Sequence, residues 1–380
     1  GRNKREKAER ERQMEKEIIE QALKSWKKIG EVVEFIPYGS GHINDTFLVT
    51  TKEKQYILQR INTNTFRDVD GLMSNIGEVT SFLREKTLEE GKDADREAMS
   101  VVRCDDGERY TRDDQGNCWR MLSYIEHSVC LQKARNEQDL FECAAAFGNF
   151  QYLLTSFPAE KLSETIPQFH DTENRYRNFE QAVAEDKMGR VALVQQEIEF
   201  LRQRKEDCSY MVNLQKSGQL PLRVTHNDTK LNNVLLDETT MKGLCVIDLD
   251  TVMPGLAAND FGDTVRFGAN DCKEDEEDQS KVHFLLDLYK VCVKGFLQEA
   301  GPILTEKEIM TLPWGAKLMT LECGMRFLTD YLDGDHYFKI SRTHQNLDRA
   351  RTQFNLVRQM EACWDEMVGA SKEYLDAKNQ

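Results

Sequence analysis

The stretch VTHNDTKLNNVLLD, residues 224–237, crowds a histidine, an aspartate and several asparagines together just ahead of an apolar run. Polar groups at that density beside a buried strand are costly unless each has a partner or a ligand. The spacing His-x-Asp-x-x-x-x-Asn puts Asp228 in a loop and Asn233 at the start of the next strand. A second apolar segment, GLCVID, closes at Asp248, twenty residues after Asp228. The intervening DETTMKG reads as a turn, so the two segments should form a hairpin that brings Asp228, Asn233 and Asp248 together. Phosphoryl transfer needs such a set: one carboxylate to orient an attacking hydroxyl, and oxygen ligands for a divalent cation on the phosphates. Either half alone is a weak signal; joined by a hairpin they are specific.

Composition narrows the class. At 380 residues, 39% hydrophobic and 31% charged, the chain is globular in character and long enough for two domains. A formal net charge of −15 argues against nucleic acid or an anionic membrane as the main partner. It leaves room for a phosphate-bearing small molecule, because magnesium screens phosphate from carboxylates. The ten cysteines are scattered from Cys104 to Cys363 without a Cys-x-x-Cys pair, which reads as reduced thiols in a cytoplasmic protein and not as a zinc site. No run approaches the roughly 18 apolar residues of a membrane span, and no signal-peptide apolar region opens the sequence.

Residues 1–30 are densely charged, with Ile18, Ile19, Ala22 and Trp26 at helical spacing near their end. They read as a solvated helix docked by its last turns, with a partner-binding arm as the alternative. From Glu31 the texture changes: EVVEFIPYGSGHINDTFLVTT reads as strand, Gly-rich turn, strand, and KQYILQRI as a third strand. DVDGLMSNIGEVTSFLREK follows as an amphipathic helix, and CWRMLSYIE as another buried strand. Residues 31–125 are therefore expected to form a small antiparallel lobe, and residues 126–380 a mainly helical one that carries the hairpin. The expected class is α+β. NDCKEDEEDQSK reads as an exposed acidic loop.

HNDTKLNN resembles the catalytic loop, and VIDLD the metal-binding strand, of the aminoglycoside phosphotransferase and choline kinase family. The resemblance implies a two-lobed, protein-kinase-like fold with ATP and Mg2+ as cofactors. It also implies Asp228 as catalytic base and Asn233 and Asp248 as magnesium ligands. VIDLDTVMPGLAANDFGDTVRFGAN and MRFLTDYLDGDHYFK are similar to the N-acetylhexosamine 1-kinases of that family, and the likeness runs from about Glu31 to Val357. That branch implies direct phosphorylation of the anomeric hydroxyl of a small-molecule sugar substrate. Asp228, Asp250, Arg326 and Tyr337 should then bind the sugar, with Phe267 lining its pocket.

On the nucleotide side, YGSGHINDT sets Gly39 and Gly41 between two strands, where backbone amides can approach phosphates. Plain hairpin chemistry would also put glycines there. YILQRIN offers Arg60 where protein kinases carry a lysine, with Glu78 on the following helix as its expected partner. Gln59 points the other way, so a one-residue change of register exchanges the two. The family's hinge implies adenine contacts from the backbone of Ser123 and Ile125.

Several residues carry two readings. His226 and Asp260 are expected to brace the loop and not to do chemistry. On a strand Asp248 and Asp250 share a face, with a cation and a sugar hydroxyl relieving their repulsion; an Asp250 turned to solvent is the alternative. Arg326, between Met325 and Phe327, should have an anionic partner, either an active-site carboxylate or a local ion pair. His170 and Arg175 either add to the sugar site or belong to a helix cap. Aminoglycosides, choline, homoserine and other sugars stay open as acceptors. A choline site would gather aromatic rings around a cation. A catalytically silent binding module would be expected to lack Asp228, Asn233 or Asp248, and all three are present.

Overall fold

Alternating apolar and polar residues build the first part of the chain around an antiparallel sheet. The computed structural model describes residues 1–39 and 43–380. It divides into one unit of Gly1–Glu126 with Leu162–Ile166, and a second of His127–Lys161 with Pro167–Gln380. The first unit opens with α1 (Arg2–Leu23) and a short 3₁₀ turn, followed by β1 (Val32–Pro37), β2 (Asp45–Thr51) and β3 (Gln55–Arg60). Next come α2 (Val69–Glu89), α3 (Ala94–Glu97), β4 (Val101–Val102), β5 (Thr111–Arg112) and β6 (Cys118–Ser123). The strands lie in the order β1-β2-β3-β6-β4, with β5 also pairing β6, and every pair is antiparallel.

Period-two alternation sends Phe47, Val49, Leu58, Trp119 and Met121 to one face of this sheet. There they pack against Ile19, Ala22 and Leu23 of α1 and against Trp26, whose indole N–H donates to the Val102 carbonyl at 2.8 Å. Only those last-turn residues of α1 are buried, so its charged length stays in water. The helix α2 is capped by Asp68, whose side chain accepts from the Gly71 amide. Its Asn75 exchanges hydrogen bonds with the backbone of Ser163, which fastens the Leu162–Ile166 segment to this unit.

The second unit contains β7 (Ser128–Cys130), α4 (Glu137–Leu153), α5 (Thr172–Glu185), α6 (Gln195–Arg202) and α7 (Asp207–Lys216). After these come the short strands β8 (Arg223–Thr225), β9 (Val234–Asp237), β10 (Gly243–Val246) and β11 (Met253–Gly255). The helices α8 (Ala257–Gly268), α9 (Leu286–Ala300), α10 (Glu306–Met310), α11 (Leu312–Asp333), α12 (Gln345–Ala362) and α13 (Trp364–Lys378) complete it. The strands β9 and β10 pair antiparallel with Val234 opposite Val246, and β7 adds to the other edge of β9. Val234 and Leu236 face inward onto Cys143 and Phe147 of α4, which fixes the hairpin to the helical core. That core centres on Phe261, Tyr289, Phe296, Leu321 and Tyr331, all essentially without solvent contact. All ten cysteines are free thiols. Among the described residues no helix is long and apolar enough to cross a membrane.

The helices α8 and α11 touch backbone to backbone. A methyl group added at Gly262 would meet the Gly315 carbonyl, and one at Gly315 would meet the carbonyl of Ala258. Backbone on both sides cannot step aside as a flexible side chain would. Gly262→Ala is therefore expected to destabilise the protein by roughly 1–3 kcal/mol in urea unfolding, the cost of overpacking a close-packed interior. An unchanged midpoint would mean that the two helices separate at no cost.

Candidate active site

The loop between β8 and β9 is held by one buried acid. Asp260, in the first turn of α8, accepts the backbone N–H of His226 at 2.8 Å and that of Asn227 at 2.9 Å. The Gln151 side-chain amide donates to the same carboxylate at 3.2 Å. Burial pushes the Asp260 carboxyl above its ordinary range, while the two backbone donors pull against that. His226 is fully buried beside the rings of Phe147 and Phe150. Its Nε2 lies 2.9 Å from the Ile247 carbonyl oxygen, and its Nδ1 lies 3.1 Å from the Asp228 amide. A carbonyl only accepts and an amide N–H only donates, so the ring is neutral with its proton on Nε2. His226 thus braces the loop against the segment leading to Asp248. The hydroxyls of Thr229, Thr264 and Thr251 close further bonds to the backbone of Asp260, Thr229 and His226.

Asn227 takes a left-handed turn, φ 68°, and Asp228 follows it. The Asn233 side-chain amide donates to the Asp228 carbonyl at 2.8 Å and to Asp228 Oδ2 at 2.9 Å. Lys230 Nζ stands 3.9 Å from Asp228 Oδ1. Across the hairpin, the Ile247 amide donates to the Asn233 carbonyl at 2.9 Å, so Asp248 is next in line beyond Asn233. The strand-based expectation for Asp248 and Asp250 does not hold. The strand β10 ends at Val246, and Asp248 has φ 60°, so the two-residue alternation that would put both acids on one face is broken. Asp248 is exposed and Asp250 is buried.

The oxygen donors fit magnesium. With its Nδ2 given to Asp228, Asn233 offers an amide oxygen, and Asp248 offers a carboxylate. No cluster of three or more His, Cys, Asp or Glu side chains suited to a metal occurs among the described residues. A set of one amide and one carboxylate suits Mg2+, which keeps waters and phosphate oxygens as its other ligands. It is too small and too hard for structural zinc.

Phe267 stands at the end of α8, 39% exposed, with the Arg266 guanidinium 4.0 Å and the Lys230 ammonium 5.8 Å from its ring centre. With Thr229, Lys230 and Asn232 it walls a cavity of about 580 Å³ beside the loop. Arg266 is paired with Asp263 and reaches Cys323 Sγ on α11 at 3.4 Å. One residue before that cysteine is Glu322, and three after it is Arg326. Arg326 donates to the Tyr337 hydroxyl at 3.2 Å and lies over the rings of Phe169, Tyr337 and Phe338. It makes no ion pair among the described residues, so neither expected anionic partner is its own. Glu322, its helical neighbour, receives His170 Nδ1 at 2.7 Å and the Thr172 hydroxyl at 3.2 Å. Burial drives the Glu322 carboxyl up, but His170, Arg175 and Arg326 outweigh it and hold the group below its ordinary range. Tyr337 is positioned from behind, because Asp330 accepts the backbone N–H groups of His336, Tyr337 and Phe338.

The sheet side departs from expectation. Arg60 lies on the face covered by α1, donating to Asp45 at 2.8 Å and to Glu15 at 2.7 Å, with its guanidinium over Trp119. Glu78 pairs with Arg109 at 3.0 Å, so the Arg60–Glu78 pair is not formed. Gln59, on the opposite face, accepts from Arg120 Nε at 2.9 Å. Gly39 takes φ 78° in the turn after β1, while Gly41 lies outside the described residues. The Ser123 amide is engaged by the Ser100 carbonyl at 2.9 Å, and Ile125 is buried at 2% exposure.

Residues 34–285 match the model of the phosphotransferase enzyme family. The chain belongs to that family. Its solved neighbours are distant in sequence. An aminoglycoside phosphotransferase from Alicyclobacillus acidocaldarius superposes with TM-score 0.58 at 11% identity, covering 90% of this chain and 92% of that one. A choline/ethanolamine kinase family protein from Mesorhizobium loti gives 0.56 at 13%, covering 95% and 99%. Choline kinase from Cryptosporidium parvum gives 0.55 at 15%, covering 93% and 97%. Likeness at that identity is likeness of fold, and it is the α+β, kinase-like fold that the motifs imply.

The buried cation on the Gln59 face is Arg120, which is 2% exposed, lies on β6 opposite Gln59 and contacts Met73 of α2. Arg60→Gln is expected to leave kcat/KM for the nucleotide donor within about twofold, the range of substitutions remote from a site. Steady-state kinetics at varied donor concentration check this, and a loss above tenfold would return Arg60 to the phosphates.

Proposed function

We propose that this phosphotransferase uses ATP and Mg2+ to phosphorylate the anomeric hydroxyl of an N-acetylhexosamine, giving the sugar 1-phosphate. The observation that supports the chemistry is the Asp228–Asn233 contact in a braced loop, together with the Ile247 to Asn233 backbone bond across the hairpin, one residue before Asp248. Asp228 orients the acceptor hydroxyl and takes its proton as the oxygen attacks the γ-phosphorus in line. Asn233 and Asp248 would hold magnesium, which when bound neutralises charge on the phosphates. Lys230, 3.9 Å from Asp228, supplies positive charge next to the base. The sugar reading is supported by the VIDLDTVMPG and YLDGDHYFK segments, and by Arg326 hydrogen-bonded to Tyr337 and flanked by the rings of Phe169 and Phe338.

Asp228→Asn should lower kcat about 10³-fold, within the span of lost general-base catalysis, with donor binding and melting temperature retained. Substantial residual turnover would remove Asp228 from its role. A screen of sugars and amino alcohols with Mg-ATP should show turnover of N-acetylglucosamine or N-acetylgalactosamine that disappears for the methyl glycosides. Turnover of the methyl glycosides would exclude the anomeric oxygen as acceptor.

A further inference from the structure

Tyr337 is 70% exposed, so its own side chain does little to hold it, and its place is set by the backbone of the turn after α11. That turn opens with two left-handed residues, Gly334 at φ 109° and Asp335 at φ 64°, the second in a conformation disfavoured for any residue with a side chain. At the centre of what holds it is one amide. Asn346, in the first turn of α12 and without solvent contact, donates Nδ2 to Asp330 Oδ2 at 2.9 Å and to Asp335 Oδ1 at 2.9 Å. Its oxygen accepts Arg349 Nη1 at 3.0 Å. Carboxylates only accept and a guanidinium only donates, so the amide has a single orientation and both its N–H groups are used. Asp330 also takes three backbone N–H groups of the turn, and Asp335 Oδ2 receives Arg190 Nη1 at 2.7 Å. Arg349 Nε stands 3.5 Å from Glu274, in the acidic run that follows α8. Two largely buried carboxylates side by side repel unless donors stand between them, and Asn346 gives one donor to each.

We infer that Asn346 is a positioning residue for the acceptor: it sets acceptor affinity without meeting the acceptor, by bridging Asp330 to Asp335 and so fixing the turn that presents Tyr337. The inference rests on the reading that Tyr337 binds the acceptor, and deepens it by naming what holds that residue. With no exposed surface, Asn346 cannot touch a ligand. The amide is also where two segments distant in sequence meet: the turn after α11 directly, and the acidic run after α8 through Arg349. The catalytic loop is held separately, by Asp260 and His226, so loosening the bridge should reach acceptor binding and spare the transfer step. Asn346→Leu removes both donors at nearly the same volume. It leaves Asp330 with its backbone partners and Asp335 with Arg190, so neither acid is orphaned and only the link between them is lost. Asp335→Asn breaks the same link from the turn, because one amide cannot accept from Arg190 and Asn346 at both of its heavy atoms, and asparagine tolerates the left-handed backbone.

The test measures kcat and KM for N-acetylglucosamine, and KM for ATP, in the wild type, Asn346→Leu, Asp335→Asn and Tyr337→Ala, and in each bridge variant combined with Tyr337→Ala. Melting temperature checks folding. Asn346→Leu should raise KM for the sugar about tenfold or more, the scale of one hydrogen bond to a charged group, while kcat and KM for ATP stay within about twofold. Tyr337→Ala should raise the same KM, and in that background Asn346→Leu should add less than about twofold, because residues acting through one contact are not additive. An unchanged KM for the sugar in folded Asn346→Leu overturns the inference. A full-sized effect that persists without Tyr337 overturns it too, as does a matching loss in kcat and KM for ATP. If Asn346→Leu does not fold, Asp335→Asn decides by the same criteria; loss of folding in both overturns the inference, because the bridge would then hold the fold and not the turn. Tyr337→Ala with an unchanged KM removes Tyr337 from the acceptor, which ends that reading and this inference together. An affected Tyr337→Ala beside an unaffected Asn346→Leu ends the inference alone. If N-acetylglucosamine is not an acceptor, the same values for the best acceptor of the screen decide by the same criteria, and a wild type that turns over none overturns both.

Discussion

The carboxylate of Asp260 receives two successive backbone N–H groups, those of His226 and Asn227, and the catalytic loop depends on that grip. Buried amides without an acceptor are costly, so the loop has no inexpensive alternative path through the core. The left-handed turn at Asn227 then delivers Asp228 toward the start of β9, where Asn233 meets it. His226 passes the constraint across the hairpin to Ile247. Asp260 in turn is positioned by α8, which lies against α11 at a crossing open only to glycine, and α11 carries Glu322 and Arg326. One helix pair therefore sets both the proposed base and the side chains proposed to read the acceptor.

What could be read from the sequence was what chemistry forces into local spacing. Asp228, Asn233 and Asp248 are tied by loop and strand lengths, and apolar runs on either side of DETTMKG are enough to announce a hairpin. Strand alternation also separates Gln59 from Arg60. It does not say which face α1 will cover, because that depends on where the apolar turns of a distant helix dock. Once α1 takes the Trp119 face, Arg60 is spent on Glu15 and the buried cation of the other face is Arg120. Asp248 and Asp250 were misplaced for a different reason: a left-handed residue breaks the period on which their shared face depended. The partners of Glu322 come from His170 and Thr172, some 150 positions away, and no local pattern announces them.

A chain of net charge −15 nonetheless sets Lys230 beside Asp228 and both Lys230 and Arg266 over the Phe267 ring. Local charge, more than the total, sets which ligands a concave site admits. Choline and ethanolamine are cationic acceptors, and the kinases of the shared fold include proteins named for them.

Direct transfer to an alcohol oriented by Asp228 is tested most directly by stereochemistry at phosphorus. ATP made chiral at its γ-phosphorus should give a phosphorylated product of inverted configuration, since a single in-line displacement inverts. Net retention would require two displacements through a phosphorylated side chain and would contradict the role given to Asp228.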